Sequence, residues 1–268
     1  MCLNIYNREI TSRPSTKLPA GNPSITDSRI TTKKPPFETA ELNKALVAFF
    51  EQALDLPHEL RLIDCTWGVY AFFDYDGEPI YVGQSKEKLS GRIRRHLTNR
   101  RTDAVAMSVL DPFEVYAIEV WPLPDLQKQL GDNPSKADKE NATAYLNDLE
   151  AAVYLYCLKR SSFGAVLNEK LPQKKKEVPL PKSYKQVVVN AQVKALRDHP
   201  DTRIARRAAT IARLAAIISE RTVKPGLRRT LHIQALRLER LASARLKVFS
   251  ANIAADDKNS SNDGDEDS

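Results

Sequence analysis

Four side chains able to exchange protons or hold an anion lie close together in the sequence. Tyr70 and Tyr81 fall within two apolar runs, and Arg92 and His96 follow, four residues apart. An imidazole titrates near neutral pH, and a neighbouring cation lowers a tyrosine pKa from its ordinary value of about 10 by favouring the phenolate. The residue types therefore permit acid–base chemistry beside a fixed positive charge.

Each of these residues also has an ordinary structural explanation. Tyrosine is a favoured strand residue, so both tyrosines could simply pack in a sheet. Arg92 lies within a basic segment, which is usually a solvated helix face, and a single histidine is commonly a surface or packing residue. The combination is more specific than any of its members.

A hairpin and a helix are predicted to position the four side chains. The apolar runs 69–73 and 79–83 flank Asp76-Gly77, a strong signal for a turn between antiparallel strands. After the second run an apolar residue recurs every fourth position, as on one helix face: Leu89, Ile93, Leu97. The arginine and the histidine then share a neighbouring face of that helix.

The following segments complete an α+β unit. A third strand is predicted at 113–121, and Ser135 with Asp138 resembles a capping box that opens a helix running to about residue 160. An amphipathic helix is predicted earlier, at 38–56. The fold class is thus α+β, with a short three-stranded sheet that contains antiparallel strands and is flanked by helices.

This order of motifs resembles the GIY-YIG nuclease superfamily. Its two signatures correspond to Gly68-Val69-Tyr70 and Tyr81-Val82-Gly83, and its helical arginine to Arg92. His96, Glu150 and Asn168 match three further positions of the pattern, and the resemblance covers about residues 66–170. Gln84 departs from it, because some members carry lysine directly after the second signature.

The resemblance implies a role for each matched residue. Tyr70 would be the general base or orient the water, with Tyr81 in support. Arg92 would bind the scissile phosphate. His96 would assist proton transfer or hold the phosphate, and the choice of base between it and Tyr70 stays open. Glu150 would ligate Mg²⁺ or Mn²⁺.

Asn168 and Glu150 each have two possible roles. Asn168 would position the phosphate or a site residue. Glu150 borders the apolar stripe of its helix, where an edge glutamate paired with an arginine is the ordinary explanation. The family match favours a metal ligand.

The C-terminal half is basic. Residues 172–183 are rich in proline and lysine, which indicates a linker, and 184–252 predict an all-helical basic module. A dimerising or partner-binding helix pair is the alternative. Predicted DNA contacts are arginines and lysines: Arg95, Lys174, Lys175, Arg206, Arg207, Arg228, Arg229. Composition predicts a flexible arm at 1–37 and a disordered acidic tail at 253–268, which leaves 38–171 as the nuclease domain.

Composition narrows the class of protein. The 268 residues carry a net charge of +7 and are 42% hydrophobic, as expected of a globular protein with a polyanionic partner. The sequence contains no cluster of cysteines that would imply a zinc site. It also contains no apolar run long enough to predict membrane insertion. Together with these properties, the resemblance to the GIY-YIG superfamily implies a cytoplasmic, metal-dependent DNA endonuclease for restriction, mobile-element spread or repair, with homo-oligomerisation left open. An inactive nuclease fold that binds nucleic acid or protein is the alternative.

Overall fold

The described residues form four strands and seven α-helices. The computed structural model describes residues 36–52, 60–98, 110–168, 170–173, 176–220, 222–223 and 225–262, with side chains up to Ala251. The strands are β1 (Trp67–Phe73), β2 (Pro79–Lys86), β3 (Ala117–Pro122) and β4 (Tyr184–Val187). The helices are α1 (Phe37–Glu51), α2 (Leu89–Leu97), α3 (Pro124–Leu130), α4 (Lys136–Arg160), α5 (Ala191–Arg197), α6 (Pro200–Glu220) and α7 (Pro225–Asn262).

The sheet is antiparallel, with the strand order β2-β1-β3-β4. The α+β class is confirmed, but the prediction of three strands is wrong, because β4 adds a fourth. β4 has four residues, alternately half-buried and exposed, which is too short for its period to be recognised in the sequence. Residues 184–252, predicted to be all helical, therefore begin with a strand.

The hairpin between β1 and β2 is confirmed. Gly77 adopts a φ of +77°, a backbone conformation that glycine reaches without steric cost. The buried carboxylate of Asp74 accepts hydrogen bonds of 2.9 Å from the backbone nitrogens of both Asp76 and Glu78. The side chain of Asp74, the first residue of the turn, thus holds the turn closed.

Helices cover both faces of the sheet. On one face Val69, Ala71 and Val82 pack against the apolar side of α4. On the other face Tyr70 and Phe72 pack with α1 and α2. The predicted capping box at the start of α4 is present, and β2 remains at the edge of the sheet, between the two layers.

The basic helices are docked on the hairpin turn. Arg203, Arg207 and Arg237 are each 3% exposed. Arg207 Nη2 lies 2.9 Å from Glu114 Oε2 and 3.2 Å from Asp74 Oδ2, and Arg237 also pairs with Asp74. A buried arginine needs such partners, since its charge has left water. We refer to these three arginines with Asp74, Asp76 and Glu114 as the arginine cluster.

The end of the chain also differs from expectation. α7 extends to Asn262, so residues 253–262 are helical where composition predicted a disordered tail. Ala254 and Ala255 are strong helix formers, and adding residues to an existing helix is far easier than starting one. Most of the predicted arm, 1–35, lies outside the described residues. Within the described part of the chain, no helix is both long and apolar enough to cross a bilayer.

Two thiols should be protected from reagents in the folded state. Cys65 and Cys157 are fully buried, and burial raises the pKa of each to about 12. The thiolate is the reactive form, so both should resist an alkylating reagent at about pH 8 until the protein unfolds. A Cys2→Ser variant isolates the two thiols for mass spectrometry. Labelling of either one in native buffer, at the rate seen in denaturant, would contradict this packing.

Candidate active site

The four residues singled out by their spacing come together beside β2. Tyr70 on β1 is fully buried, and its hydroxyl shares a hydrogen bond of 2.8 Å with His96 Nε2 on α2. The Tyr81 and His96 rings lie 5.3 Å apart between centroids, and the two tyrosine rings 6.2 Å. Hairpin and helix therefore place two phenols and one imidazole in a single contact group.

Glycines of the two signatures make this packing possible. Gly83 lies directly across from Tyr70 in the sheet, and a Cβ there would be 2.7 Å from the Tyr70 hydroxyl oxygen. A Cβ at Gly68 would be 2.6 Å from the backbone oxygen of Trp121. Both distances are shorter than real contacts allow, so each signature requires glycine for space.

Gly83→Ala should uncouple the pair Tyr70–His96 while the protein stays folded. The added methyl must push the Tyr70 hydroxyl away from His96, and a displacement of about 1 Å costs on the order of a hundredfold in the rate of any proton transfer that uses this pair. Gly91→Ala on α2 is the matched control, because its new Cβ would meet nothing closer than 4.0 Å. Thermal midpoints, and rates of the phosphodiester cleavage that the sequence predicts, test both variants, and a wild-type rate for Gly83→Ala contradicts this expectation.

Arg92 adds a permanent cation to the group. Burial lowers the pKa of its guanidinium, but Tyr70, Tyr81 and Glu87 together raise it above the ordinary value. Its Nη1 lies 3.8 Å from Glu87 Oε1, and 37% of its side chain stays exposed. Its buried Nε has no hydrogen-bond partner in the part of the chain described. The guanidinium is thus charged, partly accessible and able to accept an anionic ligand.

Glu150 reaches the same edge from the other face of the sheet. Gln84 Nε2 donates hydrogen bonds to Glu150 Oε2 at 3.1 Å and to Asn147 Oδ1 at 2.8 Å. Burial raises the pKa of Glu150 to about 7, although Gln84 and Arg92 both lower it. A carboxyl with so high a pKa is poorly compensated by its neighbours, which is the situation expected of a ligand for a further cation.

The donor set fits a hard divalent cation held mostly by water. No group of three or more His, Cys, Asp or Glu side chains able to hold a metal occurs among the residues that the structure describes. Mg²⁺ needs no such cage, since one carboxylate plus waters and phosphate oxygens satisfies it. Besides Glu150, the buried Oε1 of Gln84 is an oxygen without a hydrogen-bond partner in the described chain. In the sequence, Gln84 is recognisable only as a departure from the lysine that can follow the second signature.

Asn168 stabilises β2 directly. Its Oδ1 accepts a 3.0 Å hydrogen bond from the Val82 nitrogen, and its Nδ2 donates one of 2.7 Å to the Val82 oxygen. Both ends of the amide are thus used on the outer edge of the strand. Of the two predicted roles, this geometry fits positioning of site residues, because Tyr81 and Gly83 flank Val82.

The predicted DNA contacts have different surroundings. Arg207, predicted to contact DNA, is buried in the arginine cluster, where it pairs with Glu114. Arg206 pairs with Asp111 at 3.3 Å, and Arg229 donates to the Asn168 backbone oxygen at 3.0 Å. Arg228 is exposed. Arg95 is also exposed and pairs with Glu87. Lys174 and Lys175 lie outside the described residues.

Comparison with known proteins gives one match. The family model described as the GIY-YIG catalytic domain matches residues 66–130, which span β1, β2, α2, β3 and α3. Neither the curated proteins nor the solved structures include a match to this chain. Glu150 and Asn168 lie beyond the matched range, so their place in the site depends on the geometry described above.

Proposed function

Because residues 66–130 match the family model of the GIY-YIG catalytic domain, we propose that this protein is a metal-dependent endonuclease that hydrolyses phosphodiester bonds of DNA. Such domains are typical of endonucleases and imply a nucleic acid substrate, and these nucleases generally depend on divalent metal ions. The observation that carries the proposal is the convergence of Tyr70, His96, Arg92 and Glu150 around the edge strand β2.

Each group supplies one requirement of the reaction. Arg92 offers a fixed positive charge to the scissile phosphate, where charge develops in the transition state. Tyr70 and His96 share a proton along their 2.8 Å hydrogen bond, so either could take the proton of the attacking water. Glu150, with Gln84 beside it, would hold the divalent cation that stabilises charge on the phosphate.

The proposal is tested by incubating the purified protein with supercoiled plasmid and Mg²⁺, with and without a chelator. We expect nicked or linear products that carry a 5′ or 3′ phosphate and that disappear when the chelator is present. Gly91→Ala protein provides a preparation-matched control that should cleave as well as wild type. Binding without cleavage under any divalent cation would instead support an inactive nuclease fold that serves as a binding module.

A further inference from the structure

A groove leads away from Glu150 along one side of α4. At helical spacing, this side of α4 presents polar residues: Lys136, Lys139, Thr143, Asn147, Glu150. All five line a cavity of about 480 Å³ beside Glu150, and two of them, Lys139 and Thr143, also line a cavity of about 1150 Å³ towards the start of the helix. The two cavities adjoin at these residues, and we call them together the α4 groove.

The opposite wall of the groove is held in place by hydrogen bonds. It consists of the start of β1 and the end of β2, where Trp67 and Lys86 are paired, together with α3. The Thr66 nitrogen donates to Gln127 Oε1 at 2.8 Å, and Gln127 Nε2 donates to the Asp64 oxygen at 3.1 Å. These bonds tie α3 to the strand, so the groove exists before any ligand binds.

The charges of the larger cavity suit a polyanion. It is lined by Lys86, Lys128 and Lys139 with a single carboxylate, Asp132, whereas the smaller cavity at the Glu150 end has two lysines and three carboxylates. The positive charge of the groove is therefore concentrated in the larger cavity. From residue 136 to 150 the helix rises by about 21 Å, which corresponds to roughly six steps of 3.4 Å along a nucleic acid strand. Half-buried Trp67 adds an aromatic surface on which a base could stack.

We propose that the α4 groove binds the DNA backbone on one side of the scissile phosphate, with lysines on phosphates and Trp67 against a base. The inference rests on the proposed function, since Glu150 marks the end of the groove where cleavage would occur. It also relocates the binding surface. The arginines of α6 and α7 that form the arginine cluster are neutralised by the cluster's own carboxylates, whereas Lys86 and Lys139 are exposed beside the site.

The first test measures affinity without cleavage. Fluorescence anisotropy of a labelled duplex, in chelator, compares wild type with the double variant Lys86→Ala/Lys139→Ala. Each lost phosphate contact should reduce the log–log salt slope by about 0.9, so the double variant should bind on the order of tenfold or more weakly near 0.1 M salt. Lys44→Ala/Lys159→Ala removes two exposed lysines elsewhere and should bind as wild type.

The second test locates the DNA directly. The chain has two tryptophans, and Trp121 is 2% exposed. Because only an unpaired base can stack on an aromatic side chain, a base on Trp67 should quench its emission during a titration with DNA that carries a single-stranded end. The change should persist in Trp121→Phe protein and vanish in Trp67→Phe protein.

The outcomes separate this inference from the proposed function. If wild type cleaves DNA but the groove variant keeps wild-type affinity and salt slope, the groove is not the binding surface and the nuclease proposal stands. If wild type fails to cleave while the groove variant loses affinity and the control does not, the groove is established and the nuclease proposal fails. If tryptophan emission is unchanged on saturation with DNA, Trp67 is not part of the interface.

Discussion

Glu150→Gln should abolish cleavage, by on the order of a thousandfold, while DNA binding persists. The substitution keeps the size of the side chain and an oxygen that can accept the hydrogen bond from Gln84 Nε2. It removes the negative charge that a divalent cation requires, and the loss of one electrostatic group in a nuclease-type site costs several kcal/mol. Initial cleavage rates at saturating Mg²⁺, together with anisotropy binding curves, measure the two effects separately.

Glu220→Gln is the matched control for the loss of one glutamate charge. Glu220 is exposed at the end of α6, so Glu220→Gln makes the same chemical change away from β2. That protein should cleave at the wild-type rate. Near wild-type cleavage by the Glu150→Gln protein would show that the carboxylate takes no part in the reaction and that Glu150 is only an edge residue of α4.

The largest loss of stability is expected for Arg207→Ala. Arg207 lies 2.9 Å from Glu114 and 3.2 Å from Asp74, which are both buried. Removing one partner of a buried ion pair leaves uncompensated charge and typically costs about 3–5 kcal/mol. For a protein of this size we expect the thermal midpoint to fall by roughly 10 °C. Calorimetry or circular dichroism on heating measures it.

Arg228→Ala is the comparison for this experiment, because Arg228 is an exposed arginine of the same helical region. Its removal should change stability by less than about 0.5 kcal/mol. If both variants melt at the wild-type temperature, Arg207 faces solvent in solution. Its prediction as a DNA contact would then deserve a new test by salt-dependent binding.

The β1–β2 hairpin and α2 could be predicted from the sequence because every signal there is local. Asp76-Gly77 determines the turn, and the signature glycines lie next to the tyrosines whose packing they permit. Arg92 and His96 follow on the next helix at a spacing that fixes their shared face. No contact across the chain is needed to recognise these elements.

The arginine cluster was missed because its contacts are distant in sequence. Asp74 and Arg207 are separated by 133 residues, and Asp74 and Arg237 by 163. A helical pattern with arginines outside its apolar stripe looks the same whether those arginines face water, DNA or a buried carboxylate. The available signal was complementarity between an acidic turn and arginine-rich helices, which identifies no particular pair.

β4 was missed for a different reason. Four residues hold too little periodicity to distinguish a strand from an irregular segment, and the proline-rich stretch before them predicted a linker. The pairing of β4 with β3 depends on the completed sheet edge and cannot be recognised locally. A basic region that supplies a strand and buried arginines is therefore part of the same folding unit as the hairpin, not an appended module.

This arrangement sets the order of events during synthesis. The hairpin leaves the ribosome early, but the arginine that pairs with Asp74 from α7 is added 163 residues later. At typical translation rates the delay is roughly 10 to 30 s, during which the acidic turn cannot reach its final packing. The turn between β1 and β2 is thus translated early, but it packs fully only after α7 has been made.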